Sequence, residues 1–191
     1  MKTITVYTPQ ELKEHFPDSF DRAYENFQSS VDYIPWMDEI MESLKEVFKQ
    51  SGINLIDWSI GVYDCSYVRF DLEEDVGYLS GPRAMAWLEN NLLGDLRIPW
   101  KGEKRTKVRK YGACYRPGKI SPCPLTGFCF DEDFLESLQE NINDGMCLQD
   151  AYSNLADVAR KAMELELAYM LSEDYFLLSD HLEYTKDGYR I

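Results

Sequence analysis

The stretch from Leu148 to Leu171, LQDAYSNLADVARKAMELELAYML, constrains the fold more than any other part of the chain. Leu148, Tyr152, Leu155, Val158/Ala159, Ala162, Leu165 and Tyr169 recur at steps of three or four, which lines one face of an α-helix. The interior is rich in Ala, Leu, Met and Glu and holds no Gly or Pro, so intrinsic propensity agrees with the spacing. At 1.5 Å per residue such a helix would be roughly 36 Å long, enough to cross a small domain. The spacing therefore predicts a central core helix against which the rest of the chain packs. A coiled-coil seam is the competing reading, with only about three heptads to sustain it.

A chain of 191 residues predicts one domain, residues 1–191, long enough to bury a substantial core. Hydrophobic residues make up 45% and aromatics 14%, which places it among folded rather than disordered proteins. No apolar run reaches the length of a membrane span, and MKTITVYTPQEL lacks the apolar core of a signal peptide, so a cytoplasmic protein is expected. The odd count of five cysteines then reads as thiols.

Charge is the strongest compositional signal. The net charge is −14, but residues 97–119 carry nine Lys or Arg against the single acid Glu103, a local +8, which leaves −22 on the remainder. Between Ile120 and Ala159 there are eight acids and no Lys or Arg. Such a field repels nucleic acid and attracts basic protein surfaces.

Taken in order, KTITVY (residues 2–7) is β-branched and aromatic and reads as a strand. Thr8 and Glu11 in TPQE form a capping box with Pro9 at the first helical position, so a helix starts there. A break near Pro17 separates it from a second helix over Asp18–Phe27. Pro35 opens a third, with Trp36/Met37, Ile40/Met41, Leu44, Val47 and Phe48 at helical spacing until Gly52. Residues 53–63 and 66–72 then read as antiparallel strands joined near Asp64 and Cys65. Pro82–Leu93 is a short helix capped by Ser80/Gly81 and ended by Gly94.

Residues 97–124 form a basic excursion, with a possible strand at 106–115 and a loop whose prolines forbid regular structure. Cys123–Phe130 returns to the core. Asp131 and Glu132 open a helix whose N-terminus favours their charge, with Phe134/Leu135, Leu138 and Ile142 as its apolar stripe. Ser172 caps a last short helix, and the chain closes on a hairpin turned at Asp187-Gly188. The fold class is α+β: helices around one long central helix, with a small antiparallel β-sheet.

Few constellations could carry chemistry. Cys114, Cys123 and Cys129 are the weak candidates for a zinc centre, since their spacings of nine and six lack the paired C-x2-C knuckle. His15 and His181 sit in ordinary helix sequence. No G-x-S-x-G, H-E-x-x-H, P-loop or G-x-G-x-x-G is present, so no catalytic template and no cofactor is expected. Lys101, Lys104, Arg105, Lys107, Arg109, Lys110 and Arg116, interleaved with aromatics, form an alternative nucleic-acid patch, opposed by the surrounding negative charge.

Four stretches together carry a resemblance: TITVYTPQEL, DYIPWMDEIMESLKEVFKQSGINL leading into IDWSIGVY, CPLTGFCFDEDFLESL, and the closing LSEDYFLLSDHLEYTKDGYRI. The chain resembles a family of uncharacterised phage and prophage proteins sometimes labelled as the antitoxin of a toxin–antitoxin stability system. Members often have a Gly-rich turn where this sequence has VYDCSYVRF. The resemblance implies a small protein encoded on mobile DNA that acts inside a bacterial host cell by binding host machinery.

Charge and resemblance together predict a non-enzymatic, acidic binding protein that neutralises a host defence nuclease or a toxin. Its carboxylates would stand in for nucleic-acid phosphates on a basic protein surface. The expected contact residues are Asp131, Asp133, Glu136 and Glu140, then Asp38, Glu39, Glu42 and Glu46.

Overall fold

A computed structural model describes residues 5–31, 36–62, 65–96 and 123–191. The elements run α1 (Pro9–His15), α2 (Pro17–Ser29), α3 (Met37–Gln50), β1 (Asn54–Ser59), β2 (Tyr67–Asp71), α4 (Glu74–Gly77) and α5 (Gly81–Leu88). A π-helical turn (Glu89–Leu93), α6 (Gly94–Leu96), α7 (Phe130–Asn143), α8 (Leu148–Ser153), α9 (Leu155–Met170) and α10 (Glu173–Leu178) complete them. Helices and one two-stranded antiparallel sheet make this an α+β fold. The expected strand at 106–115 lies outside the described residues, as do residues 2–4 of the one at 2–7, whose described half forms only the isolated bridge of Tyr7 to Tyr184. Among the described residues, no helix is long and apolar enough to cross a membrane.

The chain forms two compact units, Met1–Trp36 with Met163–Ile191, and Met37–Ala162. In the first, Thr8 closes a capping box: its hydroxyl accepts from the Glu11 amide at 3.3 Å, and the Glu11 carboxylate accepts from the Thr8 amide at 2.8 Å. Pro17 pushes Phe16 out of the helical region (φ −141°), which separates α1 from α2. Leu12, Phe20, Ala23, Phe176, Leu182 and Tyr184 form this unit's core. Phe176 lies 5.5 Å from the Phe20 ring and 5.0 Å from the Phe27 ring. Each such buried ring or leucine contributes roughly 1.5–3 kcal/mol.

The closing hairpin forms as expected. Tyr184 pairs with both Tyr7 and Arg190, and Thr185 accepts from the Gly188 amide at 2.9 Å. Gly188, at φ +81°, backs directly onto α2: a Cβ there would sit 2.3 Å from the Ser19 carbonyl oxygen. Arg22 fastens the same turn by donating to the Asp187 carbonyl at 2.9 Å.

In the second unit, Ile40, Leu44, Val47 and Phe48 of α3 are buried at helical spacing, and α3 packs on α7 and β1. Phe48 meets Phe70 of β2 at 5.2 Å and Tyr152 of α8 at 5.4 Å. The strands pair Asn54 with Asp71, Leu55 with Phe70, Asp57 with Arg69, Trp58 with Val68 and Ser59 with Tyr67. Ile56 is the extra residue of a bulge, so Leu55 and Trp58 fall on the same face.

Two expectations change. Gly94 does not end the helix begun at Gly81. Its amide instead reaches back five residues to the Glu89 carbonyl in a π-helical turn, and the helical path continues to Leu96. A Cβ on residue 94 would lie 2.5 Å from that carbonyl oxygen, so the wide turn requires glycine.

The central helix, in turn, divides at Asn154 into α8 and α9. Its buried stripe follows Leu148, Tyr152, Leu155 and Ala159 and then moves to Met163 and Met170, leaving Leu165 72% and Tyr169 51% exposed. From Leu155 onward the expected stripe ran with a period of about 3.5, whereas the buried positions drift with the longer period of an uncoiled helix.

Candidate partner-binding site

Helix α7 begins after a turn, residues 123–129, that the buried carboxylate of Asp131 holds together. Phe134, Leu135, Leu138 and Ile142 are buried on one side of α7. That spacing turns Glu132, Asp133, Glu136 and Glu140 outward, and all four are exposed. Glu132, Glu136 and Glu140 stand at successive steps of four, each step about 6 Å along the axis. Their first-turn members also face the positive end of the helix dipole. Among the described residues, no Lys or Arg pairs with any of these four carboxylates.

Asp131 departs from its expected role. It is 0% exposed and points inward. One carboxylate oxygen accepts from the amides of Leu125 (2.8 Å), Thr126 (2.8 Å) and Gly127 (3.3 Å), and the other accepts from the Thr126 hydroxyl at 2.9 Å. A buried anion is tolerable only with such complete hydrogen bonding. Asp131 is therefore a clamp on the turn and no partner contact. Thr126 Oγ1 lies 3.0 Å from the buried Ser43 hydroxyl of α3, so a chain of polar contacts ties the turn to that helix.

On α3, Asp38 and Glu42 are exposed, and Glu39 and Glu46 are half-buried. Glu46 is already engaged: Lys49 donates to its two oxygens at 3.0 and 2.8 Å, and Gln50 donates at 2.6 Å. Those bonds hold its carboxyl below the usual glutamate range, opposed by partial burial and the nearby Asp131 charge. Lys45 lies 4.7 Å from the Trp58 ring centre, so α3 carries compensating positive charge that the outer face of α7 lacks. Partial loss of solvent first, and the adjacent Glu132 charge second, push the Asp133 carboxyl up.

The expected acids thus separate into Asp133, Glu136 and Glu140, joined by Glu132, on α7, and Glu39 and Glu42 on α3, with Asp131, Glu46 and Asp38 engaged within the chain. Thr126 and Ser43 escaped the sequence reading because their role depends on the chain folding back on itself. For Asp131 a local signal existed: a short acid shortly after a Thr-Gly turn can bind turn amides as well as open a helix.

Cys123 is half-buried and Cys129 exposed, both as free thiols, whereas Cys114 lies outside the described residues. Among those residues, no three His, Cys, Asp or Glu side chains are placed to hold a metal ion. The basic series Lys101, Lys104, Arg105, Lys107, Arg109, Lys110 and Arg116 also lies outside them. No family model, curated protein or solved structure matches the chain.

Proposed function

We propose that this chain is a binding protein that occupies a cationic, nucleic-acid-binding surface on another protein, with the outer face of α7 as its principal contact. The observation that supports this reading is the row Glu132, Asp133, Glu136 and Glu140: exposed, held on one rigid helix, and unpaired by any described Lys or Arg. Fixed carboxylates of this kind reproduce the charge of a phosphate backbone and favour release of the partner's own counterions. Glu39 and Glu42 of the adjoining α3 extend the surface. The resemblance to phage and prophage proteins narrows the partner to a host defence nuclease or a toxin inside a bacterial cell.

The test compares tagged wild type with a variant carrying Glu132→Lys, Asp133→Lys, Glu136→Lys and Glu140→Lys. A charge-matched control reverses Asp21, Glu25, Asp180 and Glu183, all exposed in the other unit. Wild type and control are expected to retain nucleic-acid-binding proteins from a bacterial lysate, and duplex DNA should displace them. The α7 variant should bind the captured partner at least about 100-fold more weakly, the consequence of several kcal/mol of like-charge opposition. Capture that survives both reversal and raised salt would refute the reading. Direct binding of oligonucleotide to the chain itself would favour the basic segment instead.

A further inference from the structure

Helix α9 carries two apolar stripes of different period. Ala156, Ala159, Met163 and Met170 are buried and follow the longer period of a straight helix. The second stripe, Val158, Ala162, Leu165 and Tyr169, runs in steps of four, three and four. That is the 3.5-residue repeat of a helix paired with another helix. Leu165 and Tyr169 are exposed, and Val158 and Ala162 are half-buried. Tyr175 meets the Tyr169 ring edge-on at 5.4 Å and holds it in place.

We propose that this second stripe is a docking surface for a second copy of the chain, with the two α9 helices side by side and parallel about a two-fold axis. Placing Ala162 and Tyr169 at heptad position a, and Val158 and Leu165 at d, puts Lys161 at g and Glu166 at e, on the two borders of the stripe. In a parallel pair each g residue lies against the e residue five positions further along the other helix. Lys161 of each copy therefore meets Glu166 of the other. An antiparallel pair would set Lys161 against Lys161 and Glu166 against Glu166, which like-charge repulsion opposes.

Lys161 is exposed and Glu166 half-buried, and among the described residues neither has an ion pair within its own chain. The same two residues satisfy both copies, as an isologous interface requires. Charge complementarity thus selects the occupant and its direction, Ala162 lets the backbones approach closely, and Leu165 supplies the main apolar contact. The stripe is short, so the dimer forms at about 10 µM to 1 mM. This inference does not rest on the α7 reading, because its residues all lie on α9.

The experiment follows sedimentation of the full chain from about 1 µM to 1 mM at fixed ionic strength. Wild type should pass from monomer to dimer. Lys161→Glu and Glu166→Lys, each creating two like-charge contacts per dimer, should weaken association at least about tenfold. The double variant Lys161→Glu/Glu166→Lys should recover wild-type association, a rescue that a merely structural effect would not give. Leu165→Glu should remain monomeric with unchanged thermal unfolding at low concentration, since its side chain is exposed. Mild oxidation of Leu165→Cys, with the linked peptides mapped by mass, should join residue 165 to residue 165 of the second copy. Wild type that stays monomeric throughout, leaving the face to a different occupant, would overturn the proposal. So would a dimer indifferent to Leu165→Glu, or a charge swap that fails to rescue.

Discussion

Replacing Asp131 tests whether the turn before α7 is held by one buried carboxylate. In Asp131→Ala, the amides of Leu125, Thr126 and Gly127 and the Thr126 hydroxyl all lose their acceptor. Bonds to a charged group contribute roughly 1.5–3 kcal/mol each, so four would sum to more than 6 kcal/mol. The bond from Gly127 is long, however, at 3.3 Å, and Gly127 itself is exposed, so water recovers part of the loss. The expected destabilisation is about 3 kcal/mol.

Asp131→Asn is the informative partner to that change. Its amide oxygen can keep the three backbone bonds, while its NH2 turns to Thr126 Oγ1, a hydroxyl able to accept. Only the charge is lost, and the expected cost is about 1 kcal/mol. Urea unfolding monitored through Trp58 and Trp87, both in the same unit, measures each value. Amide exchange across residues 123–130 should show protection falling by roughly 100-fold in the alanine variant. Equal effects of Ala and Asn, or a cost below about 1 kcal/mol for Ala, would refute the clamp.

Two further substitutions probe the packing. Gly188→Ala should cost about 2 kcal/mol or more, since left-handed backbone already penalises a side chain by about 1–2 kcal/mol and the new Cβ meets the Ser19 carbonyl. Gly127→Ala, with φ +93° and open space around it, should show only the backbone part; equal losses in thermal unfolding would show that the close approach to α2 is unimportant. Tyr152→Phe should cost about 1 kcal/mol at neutral pH, because Ser51 keeps its bond to the Val47 carbonyl at 2.7 Å. Burial pushes the Tyr152 phenol well up, so above pH ~10 the unfolded chain ionises there while the folded one does not. Wild type then loses stability that the variant keeps, and a gap that stays constant beyond that pH in denaturant titrations would contradict this.

Local features were legible wherever short-range chemistry decides the outcome. The Thr8 capping box, the stop at Gly52 (φ +70°), the Ser172 cap and the turn at Asp187-Gly188 all depend on residues within four positions of one another. The apolar stripes of α3 and α7 and the change to paired strands after residue 53 were equally plain, because a period of 3.6 or 2 is written directly in the sequence.

What tertiary structure alone decided was where each side chain's partner lies. Asp131 and Asp133 are two residues apart in a run of acids, and sequence treats them alike. Folding the turn onto α7 buries the first carboxylate among backbone amides and leaves the second exposed. The same holds for Leu165 and Tyr169, apolar residues at helical spacing that face solvent, and for Gly94, whose use in a π-helical turn depends on a carbonyl five residues away. Periodicity and capping report local backbone energetics. Burial and charge pairing are set by distant groups, whose positions only the folded chain defines.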